Sequence, residues 1–202
     1  MSQCYSSRGK MAERVKIQVS GIVQSVGFRA FVYSLARRHA LMGRVSMGRL
    51  FDAVSSLLCL RHSINYEGQA AIELEQIAER DCQQRYEFEV SDDGSIIRAQ
   101  NVIRAAVEDL RDGVPPGFIS AKFHLAVAYL IAKVSRSVRE DRKLNRVALS
   151  GGVFQNVFLL RATTGLLRSD GFEVFTHSRV PTNDGGISLG QAAIANALLR
   201  NG

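Results

Sequence analysis

Apolar and polar residues follow two different periods at the start of the chain. Over residues 14–23 they alternate, which is the pattern of a strand with one buried face. A helical period follows and predicts a helix, whose apolar stripe is formed by Phe28, Phe31, Val32, Leu35 and Ala36. One strand and one helix cannot close a core of their own. This βα unit, which ends near Gly43, must therefore pack on something else or belong to a domain whose remainder is absent.

The pattern changes from residue 47 onward. Helical spacing recurs in the stretches 48–58, 66–80 (entered through a loop), 100–111 and 118–140. Residues 86–99 predict two short strands around an Asp-Asp-Gly turn. The last part of the chain alternates strand 146–150, helix 153–168, strand 172–176 and helix 184–200. This βαβα order is typical of an α/β layer with a largely parallel sheet.

Composition places the chain among soluble globular proteins. Of its 202 residues, 46% are hydrophobic and 22% are charged, which is enough apolar material to bury a core. No stretch approaches the roughly 20 uninterrupted apolar residues of a membrane span, and no apolar segment of a secretory signal follows the N-terminus. Cys4, Cys59 and Cys82 form no CxxC pair and have no zinc spacing. We therefore expect reduced thiols in a cytoplasmic protein, without zinc-finger cysteines, a disulfide framework or a membrane partner.

The positive charge is confined to one segment. The net charge is +7, but residues 1–50 contain nine Lys and Arg with one acidic residue, whereas residues 51–202 contain 17 basic and 18 acidic residues. Aromatic residues make up only 7% of the chain and do not interleave with basic ones. The charge therefore does not favour a nucleic-acid partner.

The first motif with possible chemistry is SGIVQSVGFR, residues 20–29. Backbone amides where a strand turns into a helix suit an anion such as phosphate, and Arg29 adds a fixed charge with forked donors. An ordinary βα turn with a surface arginine is the plainer alternative. The motif resembles the acylphosphatase signature, in which the loop and its Arg hold an acyl phosphate and a downstream Asn positions the attacking water.

Two departures from that signature affect the expected activity. Ser25 stands where the acylphosphatase family usually has Gly, and Ser46 and Met47 stand where its Asn is expected. About 35 residues match, so the other strands of such a domain are missing. We expect weak or absent acyl-phosphate hydrolysis, while Arg29 still offers an anion site.

Two further motifs lie in the C-terminal βαβα region. ALSGGVFQN, residues 148–156, ends a strand in glycines whose amides a phosphate or ribose can approach. PTNDGGISLGQAA, residues 181–193, offers a helix cap or a carboxylate suited to a hard metal ion. Taken singly, each motif is more simply explained as a helix cap.

Taken together and in order, SMGRLFDAV, YEGQAAIELE, SGGVFQN and PTNDGGISLGQA resemble the C-terminal half of the HypF family, the carbamoyltransferases of nickel-iron hydrogenase maturation. That family also begins with an acylphosphatase domain. The resemblance implies an actin-like ATPase (RNase H-like) fold that binds a carbamoyl-adenylate and a metal between two lobes. It places Gly48 and Asp52 at the ribose, and Glu67 and Gly68 at the nucleotide or carbamoyl moiety. The implied phosphate and adenosine contacts are Gly151, Gly152 and Asn156, and the implied metal ligand is Asp184.

The implied reaction starts from carbamoyl phosphate and ATP, passes through carbamoyl-adenylate, and delivers the carbamoyl group to the C-terminal Cys of a maturation partner. Several parts of the family are missing here, among them the CxxC pairs, the adenylate-forming domain and a lobe with two metal-binding histidines four residues apart. The four histidines, which we interpret as local helix, loop or surface residues, are His39, His62, His124 and His177. We therefore expect weak binding of a divalent metal through Asp184 and reduced or no transferase activity.

The expected organisation has three parts. Residues 1–13 form a leader, residues 14–46 an acylphosphatase-like (ferredoxin-like) βα remnant, and residues 47–202 the C-terminal lobe of the carbamoyltransferase domain. This predicts an internally deleted chain joined near Val45 to Met47. A non-catalytic nucleotide-binding module and a weak acylphosphatase acting through Arg29 are the alternatives.

Overall fold

The computed structural model describes residues 30–32, 43–45, 47–91 and 96–201. Strands and helices alternate irregularly along these ranges. The strands are β1 Ala30–Val32, β2 Gly43–Val45, β3 Glu89–Val90, β4 Ile97–Arg98, β5 Arg146–Leu149 and β6 Glu173–Thr176. The helices are α1 Gly48–Leu57, α2 Gln69–Gln76, α3 Gln100–Arg111, α4 Pro116–Arg142, α5 Val157–Ser169 and α6 Ile187–Asn201. Two 3-10 turns lie at Gly152–Gln155 and Asp184–Gly186.

The core is built around α4. Its apolar positions Ile119, Phe123 and Val127 are completely buried, and α2, α3 and α5 pack against it. By length and hydropathy this helix would also suit a membrane span, but 61% of its apolar window is buried inside the protein. We therefore describe α4 as the core helix of an α/β domain.

The strand pairs predicted after residue 85 are confirmed. β5 pairs with β6 in parallel, with Val147 opposite Val174, and α5 forms the crossover between them. β3 and β4 form the predicted antiparallel pair. The turn between them, residues 92–95, lies outside the described residues.

The helix predicted from the stripe that starts at Phe28 is wrong at Ala30–Val32. These residues form β1, which pairs antiparallel with β2 and places Phe31 opposite Arg44. Aromatic and β-branched residues such as Phe31 and Val32 favour strands, and a short apolar run fits either period. The predicted leader, the predicted strand 14–23 and Arg29 lie outside the described residues. The acylphosphatase-like assignment of 14–46 therefore stays a prediction.

Helix boundaries differ from prediction where loops meet helices. Helix α2 ends at Gln76, and the segment after it runs against the start of α4, where the Glu79 amide donates to the Gly117 carbonyl at 3.0 Å. A Cβ atom on Gly117 would lie 2.7 Å from the Ile77 carbonyl oxygen, so this close approach requires glycine. The predicted start of α5 at residue 153 is wrong, because Gly152–Gln155 forms a 3-10 turn before the helix.

Candidate functional site

A cavity of about 420 Å³ lies between the N-terminal end of α1 and the loop that enters α2. It brings together two motifs that are separated along the chain. Its lining residues are Gly48, Arg49, Asp52, Ile64, Asn65, Tyr66, Glu67 and Gly68. Four of these, Gly48, Asp52, Glu67 and Gly68, were expected from the resemblance to contact a nucleotide.

In the described part of the chain, neither helix that borders the cavity has a side-chain cap at its N-terminal end. Helix α1 follows Met47 and α2 follows Gly68, and within the described residues no side chain accepts a hydrogen bond at either N-cap. Gly68 has a φ of 81°, which a residue with a Cβ rarely adopts. The first turns contain no acidic residue. Two positively polarised helix ends therefore border a cavity that two carboxylates line.

The two carboxylates differ in their surroundings. Glu67 is exposed, whereas Asp52 is half-buried and lies 3.4 Å from a guanidinium nitrogen of Arg49. Burial raises the pKa of Asp52 above its usual value, the charge of Glu67 raises it further, and Arg49 opposes this shift. A carboxylate in this position favours ligand groups that donate hydrogen bonds to it, such as sugar hydroxyls.

A polar network at the start of α2 supports the cavity loop, and sequence reasoning missed it. The Arg61 guanidinium makes two hydrogen bonds to the Glu73 carboxylate, at 2.6 and 2.9 Å. The Nε2 of Gln69 donates to the same carboxylate, and its Oε1 accepts from the backbone amide of Asn65 at 2.8 Å. The Arg61 hydrogen bond holds the pKa of Glu73 below its usual value. Residues 61 and 73 thereby fix both ends of the loop that carries Glu67 and Gly68.

The two C-terminal glycine motifs meet at a different place. Gly151 has a φ of 109°, and its amide donates to the Thr182 carbonyl at 2.8 Å, which joins the loop after β5 to the loop before α6. At the carboxyl ends of the paired strands, Ser150 Oγ lies 2.9 Å from His177 Nε2. The predicted contacts of Gly151 and Gly152 with a phosphate remain predictions.

Both polar atoms of the Asn156 side chain make hydrogen bonds within the protein. Asn156 is 8% exposed and is the N-cap of α5, where its Oδ1 accepts from the Leu159 amide at 2.8 Å. Its Nδ2 lies 2.8 Å from Nε2 of His124. The amides of Val157 and Phe158 donate to the Glu75 carboxylate at 2.8 and 3.0 Å. A direct contact of the Asn156 side chain with a ligand stays a prediction, and the side chain is 8% exposed.

A metal site is not assembled by the described residues. In the ranges 47–91 and 96–201, no group of three or more His, Cys, Asp or Glu side chains is arranged to hold a metal ion. The backbone of Asp184 starts the 3-10 turn Asp184–Gly186, but the placement of its side chain lies outside what is described. Metal binding through Asp184 therefore stays a prediction, and we derive no chemical step through a metal. The cytoplasmic location also stays a prediction.

One family accounts for most of the chain. The model of the carbamoyltransferase Kae1-like domain, second subdomain, of the HypF family matches residues 8–191. The chain belongs to this family. Carbamoyltransferase HypF of Synechocystis sp. is 34% identical over 149 residues, which cover 72% of this chain and 19% of that protein. HypF of Rhodobacter capsulatus is 34% identical over 188 residues, which cover 86% of this chain and 23% of that protein.

Solved HypF structures share the fold. A full-length HypF in the phosphate- and nucleotide-bound form is 43% identical with a TM-score of 0.73, covering 78% of this chain and 25% of that one. HypF of T. kodakarensis is 30% identical with a TM-score of 0.66, covering 79% of this chain and 20% of that one. The α/β Kae1-like carbamoyltransferase fold is thus confirmed. The chain spans about a fifth to a quarter of the length of these HypF proteins. The matched range includes residues 14–46, to which the comparisons give no separate acylphosphatase-like assignment.

Proposed function

We propose that this chain supplies the nucleoside-binding surface of a HypF-type carbamoyltransferase. Asp52 and Glu67 accept hydrogen bonds from the ribose hydroxyls of ATP or of carbamoyl-adenylate, and the adjoining glycines let the backbone approach the ligand. The observation that carries this proposal is the cavity between α1 and α2, which collects Gly48, Asp52, Glu67 and Gly68. The nucleotide-bound form of a 43% identical HypF supports the same ligand class.

The cavity suits this ligand in size and chemistry. Its volume of about 420 Å³ lies within the range of small-molecule sites. Ionised carboxylates only accept hydrogen bonds, and two neighbouring hydroxyls of a ribose can donate one each. In this role Asp52 and Glu67 bind and orient the nucleoside. The thiolate of a C-terminal Cys in a maturation partner attacks the carbamoyl carbon, the bond from that carbon to the phosphate oxygen breaks, and AMP leaves. None of the described side chains is assigned a proton transfer in that step.

Calorimetry with ATP tests the binding proposal. The chain should bind ATP, and Asp52→Asn and Glu67→Gln should each weaken binding about 10-fold, the effect of losing one hydrogen bond to a charged acceptor. Glu108→Gln, a matched change on the exposed face of α3, should leave the Kd unchanged. Absence of binding at millimolar ATP, or equal Kd values in all four proteins, would refute the proposal.

A second experiment addresses catalysis by this chain alone. We expect that carbamoyl-adenylate together with an acceptor partner gives no thiocarbamate on the partner's C-terminal Cys by mass spectrometry. The reason is that the chain covers only 25% of the full-length HypF, and in this proposal the rest of such a protein supplies the other side of the nucleotide and the adenylate-forming activity. Robust transfer would show instead that this lobe is a complete enzyme.

A further inference from the structure

His124 lies in the middle of α4 and is completely buried. Both of its ring nitrogens have hydrogen-bond partners, and the partners determine the tautomer. The Leu159 amide can only donate, so the Asn156 atom facing it is Oδ1 and the atom facing His124 is the Nδ2 donor. The Nε2 of His124 must then be unprotonated, and the proton lies on Nδ1, which donates to the Ser120 carbonyl at 2.8 Å.

The same ring also contacts the helix that borders the cavity. His124 meets the ring of Phe51 edge-on, with centroids 5.2 Å apart, and Phe51 directly precedes the cavity residue Asp52. It also contacts the ring of Phe158, in the first turn of α5, with centroids 5.2 Å apart. His124 therefore lies between α1, which carries Asp52, and the start of α5, which follows the Gly151–Gly152 loop.

We propose that His124 is a positioning residue for nucleotide binding: by accepting from Asn156 and packing on Phe51, it holds α1 and the glycine loop in one fixed arrangement. This inference rests on the proposed function. A buried polar ring is unfavourable unless all its hydrogen bonds are made, so only one orientation of Asn156 is compatible with the core. An apolar residue in place of His124 would fill the space but leave the Asn156 Nδ2 donor, whose orientation the Leu159 amide still fixes, without its acceptor.

The imidazole keeps this role across the physiological range. Burial lowers the pKa of His124 to about 4, and the nearby charge of Arg80 acts in the same direction, while the Ser120 carbonyl opposes it. Neutral His124 therefore presents the same acceptor to Asn156 near neutral pH.

Two variants separate positioning from packing. His124→Gln can place an amide oxygen near the former Nε2 and still accept from Asn156, whereas His124→Asn can place a donor near the former Nδ1 and loses that acceptor. Both should lower the melting temperature. We expect ATP affinity within about 3-fold of the wild type for Gln and about 10-fold weaker for Asn, a loss typical of a buried hydrogen bond. Equal affinities of the two variants, in a protein whose wild type binds ATP, would overturn the inference. Failure of the wild type to bind would refute the proposed function itself.

Nitrogen NMR of the folded wild-type chain tests the geometry without any variant in His124. Its Nε2 should resonate as an unprotonated imidazole nitrogen and Nδ1 as a protonated one. Asn156→Asp keeps the cap on α5 but turns a carboxylate toward Nε2, so the pKa of His124 should rise and Nε2 should become protonated. A wild-type Nε2 that carries the proton, or an Nε2 signal unchanged by Asn156→Asp, would overturn the pairing on which the inference depends.

Discussion

Helices α1 and α2 differ from α5 in how their N-terminal ends are satisfied, although each starts in or directly after a glycine-containing motif. Among the described residues, no side chain caps the N-terminal end of α1 or α2, and both ends border a cavity. The first turn of α5 is closed, because Glu75 accepts from its first two amides and Asn156 from its third. A glycine motif before a helix therefore does not show that the helix end is open to an anion. The protein side chains that reach the end decide this.

Lowering the pH should have the largest effect and should act on the two regions with opposite sign. Unfolded His124 binds a proton near pH 6.5 and the folded form only near its pKa of about 4, so stability is lost as pH falls between these values, by up to about 1.4 kcal/mol per unit. The raised pKa of Asp52 acts the other way, because protonation relieves a charge that burial disfavours. Urea unfolding at pH 7, 6 and 5 measures the sum.

The variant His124→Gln isolates the first contribution. It should lose most of the stability change between pH 7 and 5 while keeping the smaller contribution of Asp52. Equal slopes for the wild type and the variant would show that His124 takes up a proton in the folded state at its ordinary pKa.

Removing the cap from α5 should have the next largest effect. Glu75→Ala leaves the Val157 and Phe158 amides without their charged acceptor, and the free energy of unfolding should fall by about 1.5 kcal/mol. Glu108→Ala, on the exposed face of α3, should change it by less than about 0.5 kcal/mol. Similar losses for both would mean that the α5 end is satisfied by solvent, and the contrast with α1 and α2 would disappear.

A glycine pair tests the backbone of the cavity loop. Gly68→Ala should destabilise by about 1 kcal/mol, because φ is 81° there although a Cβ would meet no neighbour. Gly165→Ala, at an exposed position inside α5 that is equally free of neighbours, should stabilise by about 0.5 to 1 kcal/mol. Denaturant midpoints of the two variants should move in opposite directions. A shift of both in the same direction would contradict the left-handed conformation at Gly68.

The smallest effect on stability is expected at the cavity itself. Since burial raises the pKa of Asp52, Asp52→Asn should increase stability at pH 7, by less than about 0.5 kcal/mol because the side chain remains partly hydrated. The gain should vanish at acidic pH, where the wild type is protonated. Together with weaker ATP binding, it would show that the charge is retained for a ligand. A loss of stability would show that Asp52 serves chiefly as a partner of Arg49.

The sequence predicts best where one period runs long enough to be unambiguous. Helix α3 begins and ends at the predicted residues, whereas the short apolar run at Ala30–Val32 fits a strand or a helix, and its pairing with Gly43–Val45 decides for the strand. The position of Asn156 at the N-cap differs from the prediction, because a helix starting at residue 153 would place Asn156 inside it. Its partner His124 lies 32 residues earlier, and Glu75 lies 82 residues before Val157, so their contacts arise only from packing.

The cavity shows the same limit. Only the family resemblance predicts that Asp52 and Glu67 lie at the same ligand. No periodicity in the chain pairs these two residues. The buried position of His124 did have a signal in the sequence, because it shares the apolar face of α4 with Ser120 and Val127 at helical spacing. The sequence alone indicates a local role for it, because none of the four histidines lies four residues from another.

The exposure of helix α6 predicts that this helix unfolds locally before the core does. Its described side chains are all exposed, Leu199 at 83%, and its main contacts are with the 3-10 turn that precedes it. A 15-residue helix whose described side chains are all exposed is only marginally stable in water. The amide hydrogens of α6 should therefore exchange with solvent much faster than those of α4. Unfolding of α6 should leave the melting temperature of the core unchanged.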